Sequence, residues 1–194
     1  RQIGSVYAEA FEAMEARRAE TGAMLVHAYD QPATVAGQGT LFREWLEQDP
    51  TLTTLVVAVG GGGLVGGALA ALGHRLRIVA VEPRHAPTLA EALDADAPVD
   101  VEVSGIAADS LGARRLGTIA FELARHHGVT SVTVGDDEIR AAQIALWHRA
   151  RLVAEPGGAA ALAALAGGGY RPEPEERVGV LICGANTDPA ALGG

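Results

Sequence analysis

The sequence contains no lysine; all 15 of its Lys/Arg positions are arginine. Arginine serves well on a surface, but its guanidinium stays protonated and cannot act as a Schiff-base amine. Cysteine occurs once, at Cys183, which excludes a disulfide framework and a cysteine-built metal cluster. A reducing, cytoplasmic compartment is the simplest expectation for such a chain. Clustered basic charge is also missing, and the formal net charge is −9. That balance argues against nucleic acid as a partner. No uninterrupted apolar run reaches the roughly 18 residues of a membrane span. The first residues carry no signal-peptide or lipidation pattern. The sequence opens on Arg1 rather than methionine, and with the missing lysine this gives the expectation of a partial chain.

What is present is a foldable composition. With 194 residues, 48% hydrophobic and 20% charged, the chain can bury a core as one large domain or one and a half ordinary ones. Tyr7 to Ala19 has helical spacing, Gly22 ends it, and Ala23 to His27 reads as a short strand. Tyr29-Asp30-Gln31-Pro32 is turn chemistry and a plausible domain boundary. A helix fits within Val35 to Gln48. Leu55 to Val59 is apolar at every residue, the pattern of a strand covered on both faces. Gly60 to Gly63 follow it, then a small-residue helix to Leu72 and a second buried strand, Arg77 to Val81. Such a β-α-β unit implies a parallel sheet.

Beyond a looser stretch, Glu82 to Gly112, the pattern predicts a helix over Arg115 to His126 and a strand over Ser131 to Val134. Asp136 or Asp137 is the expected cap of the next helix, and Pro156 opens an alanine-rich one to Ala166. Val178 to Ile182 is the last strand. The alternation is that of an open, doubly wound, mostly parallel α/β sheet.

Four glycines after a buried strand leave amides that no Cβ covers, and the following helix dipole favours an anion there. Three readings compete. One is a tight turn with close helix–sheet packing. A second is a nicotinamide-dependent oxidoreductase, because Gly61 to Gly66 satisfies GxGxxG and Glu82 stands where a ribose partner is expected. The third accounts for further segments: His27-Ala28-Tyr29-Asp30, Val35 to Thr40, Val59 to Leu64, Val81-Glu82-Pro83, Glu155 to Ala159 and Cys183-Gly184-Ala185-Asn186. Taken in order, these resemble the C-terminal portion of the serine/threonine dehydratases, in the fold-type II group of pyridoxal-phosphate enzymes. A non-catalytic ligand-binding module is the remaining class.

The resemblance implies the larger, cofactor-binding domain of a two-domain enzyme over residues 31–194, incomplete at its N-terminus, with residues 1–30 a remnant of the smaller domain. It implies that Gly60, Gly61, Gly62, Gly63 and Leu64 hold the phosphate of pyridoxal 5'-phosphate. Cys183 matches the position facing the pyridine nitrogen, Gly105 the glycine passing beside the ring, and Glu155 a glutamate near the site. Asn186 reads equally as an orienting residue or a turn residue. Glu82 with the Ala86 carbonyl matches a cation site. Thr88 stands where relatives binding a divalent ion carry aspartate, so a monovalent ion fits as readily. His126-His127 is read as a helix C-terminal cap rather than a metal site.

In that family a lysine attaches the cofactor and removes the substrate α-proton, and no catalytic residue of that kind is in this sequence. The implied parent is a homo-oligomeric lyase, acting on L-threonine or L-serine to give a 2-oxo acid and ammonia. The related amino-acid racemases share the glycine loop and are the alternative.

Overall fold

In the computed structural model, residue 3 and residues 7–192 are described. Four strands, β1 (Thr54–Ala58), β2 (Arg77–Pro83), β3 (Thr130–Val134) and β4 (Val178–Val180), form one sheet in the order β3-β2-β1-β4. Every pairing is parallel, with Leu55 opposite Ile78 and Leu55 opposite Gly179 in register. All five residues of β1 are buried, as an apolar strand inside a two-sided sheet must be.

Alternation sorts the strand residues into two cores. Leu55, Val57, Val59, Ile78 and Ala80 pack on one face with Phe42 of α2 (Pro32–Gln48), Leu69 of α3 (Gly63–Leu72) and Phe121 of α6 (Thr118–His127). Val56, Ala58, Val79 and Val81 pack on the other, against Ile139 of α7 (Asp136–Ala150) and Ala160 of α8 (Pro156–Ala166). Helices α4 (Thr88–Asp94) and α5 (Ala108–Leu111) lie in the stretch the sequence pattern left loose. The sheet is therefore doubly wound, as expected.

Two expectations fail locally. The strand over Ala23 to His27 does not form. Met24 is 85% and Val26 69% exposed, and no sheet edge pairs with them. The helix before it, α1 (Tyr7–Thr21), buries none of its described side chains. The cap of α7 is also not an aspartate. Gly135 occupies the N-cap position, and its amide donates to Glu138 Oε2 at 2.6 Å. Asp136 instead accepts the Ile106 amide at 3.2 Å, while its Oδ1 is buried without a partner.

Asp30 is more than a boundary turn. Its carboxylate accepts the amides of Thr118 and Ile119, both at 3.0 Å, and so caps α6 from 88 residues away. No helix among the described residues is long and apolar enough to cross a membrane.

Candidate functional site

Between β1 and β4 the sheet changes direction: the chain leaves β1 for β2 on one side, and β4 lies on the other. In open α/β sheets the crevice at the strands' carboxyl ends, at such a switch point, is where ligands bind. Gly60 to Gly63 follow β1 here, and Cys183 follows β4. They line a hollow of about 270 Å³ together with Leu64, Glu155, Ser110 and Tyr29.

The loop's hydrogen bonding is one-sided. The Gly60 carbonyl accepts the Thr88 hydroxyl at 2.6 Å, Gly61 the Gly117 amide at 3.0 Å, and Gly62 the Gly66 amide at 2.8 Å. Among the described residues, the amides of Gly60, Gly61 and Gly62 donate to nothing. Gly63 and Leu64 open α3, where first-turn amides have no intrahelical acceptor. Gly62 has φ +92°, and a Cβ there would sit 2.5 Å from that of Ala120. Glycine is thus required by conformation and by space, and the result is a concave set of free N–H groups. This is the chemistry of a phosphate seat.

The far wall is built to the same closeness. A Cβ on Gly158 would overlap the Cys183 carbonyl oxygen, so α8 begins directly against the segment after β4. Ser110 Oγ accepts the Gly157 amide at 2.9 Å, capping α8 from 47 residues away. Burial, and then the nearby Glu155 carboxylate, push the Cys183 thiol above its ordinary value, so it stays protonated. The Glu155 amide donates to the Gly184 carbonyl at 3.1 Å, tying this wall together.

Of the residues singled out from the sequence, Gly60, Gly61, Gly62, Gly63, Leu64, Glu155 and Cys183 come together in this hollow. Gly105 does not line it; with φ +85° it lies under the Asp136 carboxylate. Glu82 and Ala86 are elsewhere engaged. Glu82 is fully buried, accepting the amides of Leu89 at 2.6 Å and Ala90 at 2.9 Å and lying 3.0 Å from Thr88 Oγ1. The Ala86 carbonyl accepts the Thr88 amide at 3.1 Å. A cation at Glu82 would have to displace these donors.

Burial pushes Glu82 up to about 7, against the pull of its donors. The geometry agrees. Thr88 has a single hydroxyl proton, and Gly60's carbonyl, the nearer partner, can only accept it. The contact between Thr88 and Glu82 is then completed by a proton on Glu82. The same burial overturns the dinucleotide reading: Glu82 faces the start of α4, bound to the Leu89 and Ala90 amides, and offers no carboxylate to a ribose.

Ser110 and Leu111 were not legible beforehand, because a helix of four residues carries no periodicity. The comparisons with known proteins agree with this geometry. Residues 1–184 match the family described as pyridoxal-phosphate dependent enzyme. The chain belongs to that family. It is 38% identical over 186 residues to a phenylserine dehydratase of Ralstonia pickettii, covering 94% of this chain and 57% of that one. It is 31% identical over 188 residues to an L-threonine ammonia-lyase of Thermotoga maritima, covering 95% and 46%. The solved structure of maize serine racemase superposes with a TM-score of 0.90 at 28% identity, over 98% of this chain and 61% of that one. The chain thus spans about half the length of the curated relatives it matches.

The hollow is thus lined by a cradle of unpartnered amides, chemistry that fits a phosphate, and by a neutral thiol.

Proposed function

We propose that this chain forms the cofactor seat of a pyridoxal-phosphate-dependent ammonia-lyase acting on L-threonine or L-serine. The products are a 2-oxo acid and ammonia. The observation that carries the reading is the switch-point hollow, with free amides at Gly60 to Gly62 on one wall and Cys183 on the other. The dehydratase and ammonia-lyase names of the relatives support the substrate class.

When bound, pyridoxal phosphate supplies an electron sink for an amino acid's α-carbon. The residues of this chain hold it. Gly60 to Gly63 and Leu64 direct their amides at the phosphate, and α3 adds its N-terminal dipole. Cys183 lies toward the ring nitrogen as a protonated thiol, which does not fix a proton there as a carboxylate would. Burial, and then the Glu155 carboxylate, keep that thiol neutral. Gly105 and a monovalent cation at Glu82 and Ala86 are not part of this assignment, since the first lies off the hollow and the second competes with the two amide donors of Glu82.

The chain has no lysine, so the attaching amine and the substrate-carboxylate grip are assigned to residues outside this sequence. On this reading residues 1–30 belong to the parent's smaller domain; the exposed Met24 and Val26 support that, as surface a neighbouring segment would cover.

The test uses the full-length parent loaded with pyridoxal phosphate and given L-threonine and L-serine. Formation of 2-oxobutanoate or pyruvate with equal ammonia is the expected result. D-serine without oxo acid would instead make it a racemase. Borohydride treatment of the 194-residue chain with the cofactor should leave no lysine adduct.

A further inference from the structure

At the opposite end of α3, three imidazoles meet that the cofactor site does not use. His74 follows α3 in a short 3-10 turn, Gly73–Arg75, while His126 and His127 occupy the last turn of α6. One ring nitrogen from each lies within 4.8 Å of the others. The ring centroids of His127 stand 4.6 Å from both His74 and His126. His74 and His127 border a hollow of about 440 Å³ reached also by Arg75 and Arg77.

We propose that His74, His126 and His127 form a binding site for one divalent transition ion of the zinc type, clipping the C-terminal ends of α3 and α6 together. Several observations carry this. Imidazole nitrogens suit zinc, copper and nickel, and three histidines with a water in the fourth position are a complete zinc ligand set. Nitrogens bound to one zinc ion lie about 3.3 Å apart, given Zn–N bonds of about 2.05 Å. The closure required is small, and His74 and His126 are exposed.

His127 Nδ1 is buried without a hydrogen-bond partner, and such orphaned groups are rare enough to need an explanation. Two helix C-termini converge on the site, and their dipoles favour a cation over an anion. Of the two arginines, Arg77 is held by Glu176 and Tyr170, which offsets its charge.

The site is independent of the cofactor reading. It lies about 15 Å along α3 from the glycine loop, at 1.5 Å per residue over a 10-residue helix. Its failure would leave the ammonia-lyase proposal intact, and the reverse holds.

The test is a zinc titration of the full chain, purified without an affinity tag and stripped with chelator. A competing chromophoric chelator gives the affinity. One ion per chain is expected, with binding weakened at least about tenfold in His127→Ala, His74→Ala and His126→Ala, and unchanged in His148→Ala, a control on the exposed face of α7. Circular dichroism shows whether each variant is folded. Proton NMR of the 6 histidines should shift only these three on adding zinc. No saturable zinc binding, undiminished binding in all three variants, or inorganic phosphate shifting these resonances while zinc does not, would overturn the proposal.

Discussion

The two ends of α3 carry opposite chemistry. Its N-terminus presents unpartnered amides from a glycine loop, while its C-terminus meets three imidazoles. One helix dipole explains both, since its positive end suits a phosphate and its negative end a cation. The ends also differ in tightness. Around Gly62, Leu116 and Ala120 leave no room for a single methyl, whereas nothing lies within 4 Å of a Cβ placed on Gly128, beside the histidines. Rigid packing forms the anion seat, whereas at the other end two of the three imidazoles, His74 and His126, are exposed.

The largest effect should come from adding one carbon at each end. Gly62 and Gly128 both have positive φ, +92° and +74°. An alanine at Gly62 meets the left-handed backbone cost of about 1–2 kcal/mol, and one at Gly128, with ψ 143°, a strain of about 1–3 kcal/mol. Gly62→Ala adds overpacking against Ala120 and Leu116, so its total should be about 4 kcal/mol, with pyridoxal-phosphate binding lost. Gly128→Ala adds no overpacking, so it should cost about 2 kcal/mol and keep the cofactor. Urea denaturation and cofactor fluorescence measure both. Equal costs would mean the loop is no tighter than the histidine end.

The pH response should separate the ends next. Glu82 belongs to the cradle side, through Thr88 to the Gly60 carbonyl. Its value rises from 4.5 to about 7 on folding. The folded state binds the proton more tightly, so this contribution is full below pH 4.5 and is lost as pH rises to 7. The whole change is about 3 kcal/mol, at 1.36 kcal/mol per unit. Glu82→Gln should flatten that slope in urea titrations between pH 5 and 8.

His127 has the opposite sign. Its value is lowered from 6.5, chiefly by burial, so its contribution is present above pH 6.5 and is lost as the solution is acidified. A chain whose stability only rose from pH 5 to 8, unchanged by Glu82→Gln, would refute the assignment at the cradle.

Much of this was readable from residue order. The apolar run Leu55 to Val59, the four glycines and the following small-residue helix led to the sheet, its direction and the anion seat, because each is a local pattern. What escaped was tied to distant partners. Asp30 caps α6 across 88 residues, and Ser110 caps α8 across 47. Rules for caps look a few positions ahead, so Asp30 read as a turn and Ser110 as nothing. Asp136 erred in the other direction, since a locally ideal cap is diverted to Ile106. Ala23 to His27 has strand-like residues but no edge to join. The histidines were visible only as a pair, because His74 joins them through the fold.

At the cradle's other wall the expected effect is modest. Cys183 is half-buried and its side chain makes no hydrogen bond among the described residues. Cys183→Ala removes a small apolar contact, so stability should change by about 1 kcal/mol. The cofactor should still bind through its phosphate, with the ring's absorbance altered. Loss of binding as complete as in Gly62→Ala would move the main anchor from the loop to the ring.

The smallest effect is at the imidazole end, and its sign is what matters. His127→Phe keeps a ring and removes the nitrogen that is buried without a partner. A buried unsatisfied group costs about 1–3 kcal/mol, while the looser surroundings and altered ring shape return part of any gain. In chelator the variant should therefore match or exceed the parent by about 0.5 kcal/mol, within the range of a surface substitution. With zinc added, the parent should gain stability by mass action and the variant should not, reversing their order. That reversal separates a ligand from a misplaced polar group. If His127→Phe loses stability equally with and without zinc, the imidazole is a packing element and the two ends of α3 are not a matched pair of ion sites.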